Sequence, residues 1–285
     1  IRLEEPIVQC QFPVIAAKRI ESLPVVASGV VRAEHDEHDV RLEGGALREH
    51  LAVPVRKVSG PLRGVIRLQW TINQSLVRQR LVIHADSARI DFVTVLDWHE
   101  QHVLLKTAFP VDVRAKVATY DIGFGSLERP THWNTPYDVA HFENPAHQWV
   151  DLSEEGFGAA VLNDCKYGYD VKDSVMRLSL HRSPTEPDPD ADQGIHYFTY
   201  SILPHEGDWR KADVIQAALD LNDPLSAQLI PANPTGKLPE TWGFYSSPYH
   251  HVILDTLKPA EDGDGIILRF FESHGVRNPA FSCSL

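Results

Sequence analysis

Three cysteines in 285 residues, Cys10, Cys165 and Cys283, are too few and too widely spaced to frame a disulfide-rich fold or a zinc ribbon. Buried thiols in a reducing, cytoplasmic compartment are therefore expected. Positive charge is also scarce: 27 Lys and Arg stand against 39 Asp and Glu, a net charge of −12 with the 15 histidines neutral. Such a surface repels a polyanion, which excludes nucleic acid as the expected partner. No uncharged apolar run approaches the roughly eighteen residues that a membrane-crossing helix needs, so no membrane partner is expected either. Methionine occurs once, at Met176, and the chain begins at Ile1. Residues 1–30 carry neither a secretory nor a transit pattern, and the expectation is the downstream part of a longer polypeptide. A Gly-x-Ser-x-Gly elbow, a phosphate loop and a dinucleotide fingerprint are all missing. What is present is an ordinary globular composition, 43% hydrophobic and 23% charged, long enough for one large or two modest domains.

The dominant pattern has a period of two. Leu62, Ile66, Leu68, Trp70 and Ile72 alternate with Arg63, Arg67, Gln69 and Thr71, which is a half-buried strand. The run from Ile90 to Trp98 repeats the pattern, as does that from Leu76 to Ala85. Turn chemistry separates them, at Ser59-Gly60-Pro61, Asn73-Gln74-Ser75 and Asp86-Ser87. Further strands are expected over 103–109, 117–124, 158–163, 175–181, 197–203 and 266–271. One segment differs: Ala212, Ile215, Ala218 and Leu219 recur at helical spacing within 209–221, with Asp208 as a candidate N-cap and Asn222-Asp223-Pro224 as the stop. The fold class is therefore mainly β with one substantial helix. The Pro-containing stretch 231–239 marks the expected boundary between a domain over 1–230 and a smaller one over 231–285.

Several clusters invite a test for chemistry. His35 and His38, beside Asp36 and Asp39, sit in a charged stretch better read as a solvated loop than as a metal site. His99 and His102 flank Glu100 at a spacing of three rather than four, which is wrong for a zinc-protease helix. Asp188, Asp190 and Asp192 alternate as at the start of a calcium loop, but the sixth-position glycine and the twelfth-position glutamate are missing, where Thr199 stands instead. A calcium site of another type remains open beside a plain acidic loop. Between Arg129 and Trp149 lie His132, Trp133, Asn134 and Tyr137, then His147 and Gln148. Aromatic faces and planar amides of this kind suit sugars, and equally suit a long loop pinned by buried tryptophans.

The longer strings resemble a known family. Asp97-Trp98-His99-Glu100, Leu104-Leu105-Lys106-Thr107-Ala108-Phe109-Pro110, Glu128-Arg129-Pro130-Thr131-His132-Trp133-Asn134-Thr135 and Asn163-Asp164-Cys165-Lys166-Tyr167-Gly168-Tyr169-Asp170 look like the C-terminal region of family 38 glycoside hydrolases, the α-mannosidases. The order continues through Leu180-His181-Arg182-Ser183-Pro184, Pro187-Asp188, Asp192-Gln193-Gly194 and Phe198-Thr199-Tyr200 to Leu268-Arg269-Phe270-Phe271-Glu272-Ser273-His274-Gly275, which resembles the last β domain of the cytosolic and vacuolar branch. Coverage runs from about Gly60 to the end. The resemblance implies a β-supersandwich of the galactose-mutarotase type followed by a small C-terminal β-sandwich. It also implies that the nucleophile, the acid/base carboxylate and the zinc belong to an upstream N-terminal catalytic domain, leaving no catalytic residue and no metal or other cofactor expected in this chain. The implied partners are α-mannosides and oligosaccharides, that catalytic domain and, through an exposed docking face, another copy of the chain in a homo-oligomer. Residues expected near the substrate cleft are Arg182, His132, Trp133, Asn134 and Asp192. For Arg182, a fork of donors aimed at sugar hydroxyls or at a barrel carboxylate competes with an internal salt bridge to Asp188, Asp190 or Asp192. A free-standing carbohydrate-binding module is the alternative function, and a mutarotase-like enzyme rests on fold analogy alone.

Overall fold

A computed structural model describes the backbone of four early strands and, with side chains, residues 60–277 apart from 232–234 and 238. The early strands are β1 (Pro6–Gln11), β2 (Ser28–Asp36), β3 (Asp39–Glu43) and β4 (Val53–Ser59). A run of six strands follows: β5 (Arg63–Ile72), β6 (Ser75–His84), β7 (Ile90–Trp98), β8 (Leu104–Pro110), β9 (Val117–Ile122) and β10 (Gly125–Pro130). After a short helix α1 (Pro136–Ala140) come β11 (Asn144–Pro145), β12 (Trp149–Ser153), β13 (Gly158–Asn163), β14 (Gly168–Lys172), β15 (Val175–Arg182) and β16 (Gly194–His205). Helix α2 (Val214–Asn222) and the hairpin β17 (Val252–Pro259) and β18 (Ile266–Glu272) are the last elements among the described residues. The architecture is mainly β, as the alternation of apolar and polar residues requires.

Two large sheets form from these strands. One has seven strands in the order β11-β14-β15-β8-β1-β2-β3, and the other nine in the order β10-β9-β12-β13-β16-β7-β6-β5-β4. Pairing is antiparallel throughout except for β1 with β8, where Ile7 lies opposite Leu104 in a parallel ladder. The alternation seen in the sequence sorts side chains onto two faces: along β7, Ile90, Phe92, Leu96 and Trp98 are buried while Val93, Val95 and Asp97 are half-buried. The inward faces share one core containing Trp98, Tyr120, Tyr169, Met176 and Tyr200. Phe92 stacks on Tyr200 at 5.0 Å between ring centroids. Polar atoms that enter this core are only partly satisfied: Gln79 Nε2 donates to Thr94 Oγ1 at 2.9 Å and to the Tyr200 hydroxyl at 2.8 Å, while Gln79 Oε1 and Trp98 Nε1 have no hydrogen-bond partner among the described residues. On the outer face of the nine-stranded sheet, α2 covers a second cluster of Trp149, Ala160, Leu162, Leu203 and Trp209.

Three local expectations change. The helix is shorter than its apolar spacing suggests: residues 209–213 form turns, Asp208 Oδ1 accepts from Lys211 N at 3.0 Å, and the helix starts only after Asp213 at φ 50. Trp209 is buried in the outer cluster rather than carried on the helix, which explains why its spacing looked helical. The strand expected over 117–124 ends at Ile122, because Gly123 and Phe124 (φ 62) reverse the chain between β9 and β10. Cys165, expected to be a buried thiol, is exposed. Cys283 and the side chains of Cys10, His35 and His38 lie outside the described residues. Around Glu100 the spacing argument against a zinc protease is matched by a different use of the carboxylate. It accepts from Asn73 Nδ2, Gln74 N, and both Ser75 N and Oγ at 2.8–3.1 Å, closing the β5–β6 turn.

Candidate functional site

A cleft of about 490 Å³ opens where the chain crosses between the two sheets. Arg182 stands at the end of β15, Lys166 in the β13–β14 connection, Glu143 after α1, Asp192 in the acidic loop and His196 on β16, all bordering this space. A β-bulge at Leu180 shifts the β15–β8 register, pairing Ser179 with Lys106 but His181 with Leu105. The bulge interrupts strict alternation, and Ser179, Leu180, His181 and Arg182 all border the cleft.

Each wall is held by buried polar contacts. Lys106 Nζ, on a side chain only 3% exposed, bonds Glu143 Oε2 and Asp170 Oδ2 at 2.5 Å each. Arg177 Nη1 adds a 2.8 Å bond to Asp170, and the Ser179 hydroxyl donates to Glu143 Oε1. Glu143 reaches this network because Gly168, opposite Ser179, has no side chain: a Cβ there would lie 2.5 Å from Glu143 Oε1. On the other side Asn163, fully buried, orders the turn that presents Lys166: its Oδ1 accepts from Lys166 N at 2.6 Å and its Nδ2 donates to the Tyr169 hydroxyl at 2.6 Å. Lys166 Nζ lies 4.6 Å from the Phe198 ring centroid.

The floor carries two histidines acting on one atom. Nε2 of His181 and of His196 approach the backbone oxygen of Asp192 at 2.8 and 2.9 Å, and a carbonyl only accepts, so both nitrogens carry protons. Burial is the main force that pushes His181 down to about 4, so it is neutral at neutral pH. The two donors pin Asp192 in a left-handed conformation (φ 58) just before Gly194 (φ 96), where the acidic loop enters β16. Within the loop, Asp188 Oδ1 accepts from Asp190 N at 3.0 Å and Gln193 Nε2 donates to Glu100 O at 2.7 Å. Among the described residues no three His, Cys, Asp or Glu side chains converge on a point where a metal ion would sit. The cleft is thus bordered by two cations, two carboxylates and two histidine rings whose Nε2 protons are taken up by Asp192 O, a set suited to hydroxyl-rich ligands. Glu143 is already engaged by Lys106 and Ser179.

Of the five residues expected at a cleft, Arg182 and Asp192 border this one. Trp133 stands one layer behind: it packs edge-on against Phe142 at 6.2 Å while Lys172 Nζ covers it at 4.2 Å. Asn134 and His132 are exposed outside it, and Asn134 N bonds Asp138 Oδ2 at 3.1 Å as part of the start of α1. The reading of this stretch as a loop missed α1 itself, whose Thr135 and Asp138 form a reciprocal capping box. Glu143, Lys166, His181 and His196 were not singled out in the sequence, although Lys166 and His181 lie within the strings that carried the family resemblance.

The remainder of the aromatic stretch borders a second groove of about 360 Å³, with Asp121, His147, Trp149, Ile215 and Phe271 among its walls. Asp121 Oδ2 accepts from Gln148 N at 2.8 Å, yet burial raises its carboxyl from 3.8 to about 6. With the folded value above the unfolded one, the contribution to stability is full below about pH 4 and is lost as pH rises through about 6. Asp121→Asn is therefore expected to raise stability at pH 8 by about 1–2 kcal/mol, allowing for solvent screening at a half-buried site, and to change little near pH 3.5. Urea denaturation at the two pH values checks this.

Comparison with known proteins places this geometry in context. A family model described as "Glycosyl hydrolases family 38 C-terminal domain" matches residues 30–190, and one described as "Glycosyl hydrolases family 38 C-terminal beta sandwich domain" matches residues 251–285. Alpha-mannosidase 2C1 of Homo sapiens is 46% identical over 220 residues, covering 76% of this chain and 21% of the human protein. Alpha-mannosidase G of Dictyostelium discoideum is 43% identical over 222 residues, covering 76% of this chain and 20% of that protein. The crystal structure of an alpha-mannosidase from Enterococcus faecalis V583 shares the fold with a TM-score of 0.70 at 15% identity, over 79% of this chain and 30% of that one. The chain spans about a fifth of the length of the curated relatives it matches.

Proposed function

Because the chain belongs to glycoside hydrolase family 38, whose C-terminal domain models match it, we propose that it is the non-catalytic C-terminal region of a cytoplasmic, zinc-dependent, retaining α-mannosidase. In this reading a catalytic barrel upstream supplies the nucleophile, the acid/base carboxylate and the metal. The present region supports that barrel and forms part of the rim of the substrate cleft. The two units of the region divide at the 231–239 stretch. A retaining glycosidase needs two carboxyl groups roughly 5 Å apart on opposite sides of the bond. Glu143 is engaged by Lys106 and Ser179, so no hydrolytic step is assigned to it. Among the described residues no three His, Cys, Asp or Glu side chains converge to hold a zinc ion.

The observation that carries the proposal is the cleft beside Arg182, which Lys166 borders as a second cation. Arg182 presents a fixed fork of N–H donors, suited to a pair of vicinal sugar hydroxyls or to a carboxylate of the barrel. Its role in this reading is to bind and orient the mannoside. In the whole enzyme, Arg182→Ala is expected to lower kcat/KM for an aryl α-mannoside about 10–100-fold, the worth of one or two hydrogen bonds from a charged donor. The variant should still fold, as its far-UV circular-dichroism spectrum would show. Unaltered kinetics in a folded variant would remove Arg182 from the substrate cleft.

A further inference from the structure

The half of the nine-stranded sheet's outer face that α2 leaves uncovered gathers cations in a chain whose net charge is −12. Register places Arg67 directly opposite Arg80, Arg63 opposite His84 and Val65 opposite Val82, while Val93 continues the Arg80 row on β7. These residues line a concavity of about 560 Å³. Arg63, Arg67 and Arg80 are exposed and the three valines beneath them are half-buried. Like charges directly across a strand pair repel, so the Arg67–Arg80 arrangement costs stability unless a counter-charge answers it. Among the described residues the ion pairs on this face are Arg89 with Asp91 at 2.8 Å and the looser His84 with Asp91 at 3.7 Å. Asp91, the one carboxylate lining the concavity, is buried and also accepts from Ser201 Oγ at 2.7 Å, so its charge is answered within the fold. Among the described residues no ion pair involves Arg63, Arg67 or Arg80.

We infer that this concavity binds a small phosphorylated metabolite. The guanidinium forks of Arg67 and Arg80 match the oxygens of a phosphate monoester, and Arg63 and His84 flank them with further donors. The floor of Val65, Val82 and Val93 takes the carbon face of the attached group. The volume lies within the roughly 300–1,000 Å³ typical of small-molecule sites. Nothing in this inference depends on the cleft beside Arg182, which lies elsewhere on the sandwich and shares no lining residue with it.

The test is calorimetric titration of the chain at low ionic strength with inorganic phosphate, a hexose 6-phosphate and the unphosphorylated hexose. Saturable binding of both phosphates, with the free hexose silent, is expected. The double variant Arg67→Gln/Arg80→Gln should weaken it by at least about tenfold, the worth of one lost charge-assisted hydrogen bond. Both side chains are exposed, so the variant should keep the parent circular-dichroism spectrum and melting temperature. Absence of saturable phosphate binding overturns the inference, as does binding that survives the double substitution. A change in sedimentation coefficient in the double variant, without phosphate binding by the parent, would also overturn it and assign the face to contacts between copies of the chain.

Discussion

Lys106→Met is expected to destabilise the folded chain by about 3–5 kcal/mol, the range found when one partner of a buried ion cluster is removed and the others stay behind. Lys106 is 3% exposed and Asp170 6%, and the lysine bonds both Asp170 and Glu143. Methionine restores the volume of the stem but leaves the carboxylates of Asp170, on β14, and Glu143, just before β11, without their shared cation. Arg177 compensates part of the charge on Asp170. Glu143, which is 29% exposed, has only the Ser179 hydroxyl left and is expected to turn towards solvent. That movement would carry the segment after α1 away from the cleft, so the substitution couples the stability of the sheet to the shape of the rim. The midpoint of urea denaturation reads the first effect. A double variant, Lys106→Met with Glu143→Gln, should regain most of the loss because Asp170 keeps its bond to Arg177 and no uncompensated carboxylate remains. An unchanged midpoint in Lys106→Met would mean that solvent reaches the cluster freely, contrary to its burial.

Trp149→Ala should cost a similar 3–5 kcal/mol, but with a different signature. Trp149 is 1% exposed, lies 5.0 Å from Trp209 between ring centroids and forms the outer cluster with Ala160, Leu162, Leu203, Val214 and Ala218. Helix α2 depends on that cluster. Its nine residues are too few for independent stability, and Asp213 at its N-terminus makes no side-chain capping bond. Removing the indole should therefore release α2 before the sandwich melts. Far-UV circular dichroism and core tryptophan fluorescence should then give transitions that no longer coincide, whereas the parent's coincide. Trp149→Phe keeps most of the apolar surface and should restore a single transition.

Much of this architecture is legible locally. Strand β7 begins and ends where its period-two pattern does, at Ile90 and Trp98, and β13 likewise spans 158–163. These patterns are readable because side-chain direction alternates with each residue of an extended chain, whatever lies beside it. The start of α2 was less legible because Trp209 and Ala212 are apolar for reasons of tertiary burial, and helical spacing over so few residues arises by chance. Helix α1 escaped because five residues contain too little periodicity, although the spacing of Thr135 and Asp138 was a usable N-terminal signal. Within the cleft, Arg182 and Asp192 stood out through their neighbours in sequence. Lys106 did not, since in Leu104–Pro110 it reads as one polar residue among apolar ones.

Sequence alone determined the class of the fold, the places of most strands and the family, because alternation, turn chemistry and long ordered strings are properties of contiguous residues. Tertiary structure alone decided which strands became neighbours, including the parallel ladder of β1 with β8. It also decided which charges meet: Lys106 with Glu143 and Asp170, 37 and 64 residues away, and Arg67 facing Arg80 across a hairpin. Coulomb and hydrogen-bond energies act over a few ångströms of space and do not register separation along the chain, so they become readable only once the sheets have brought their owners together.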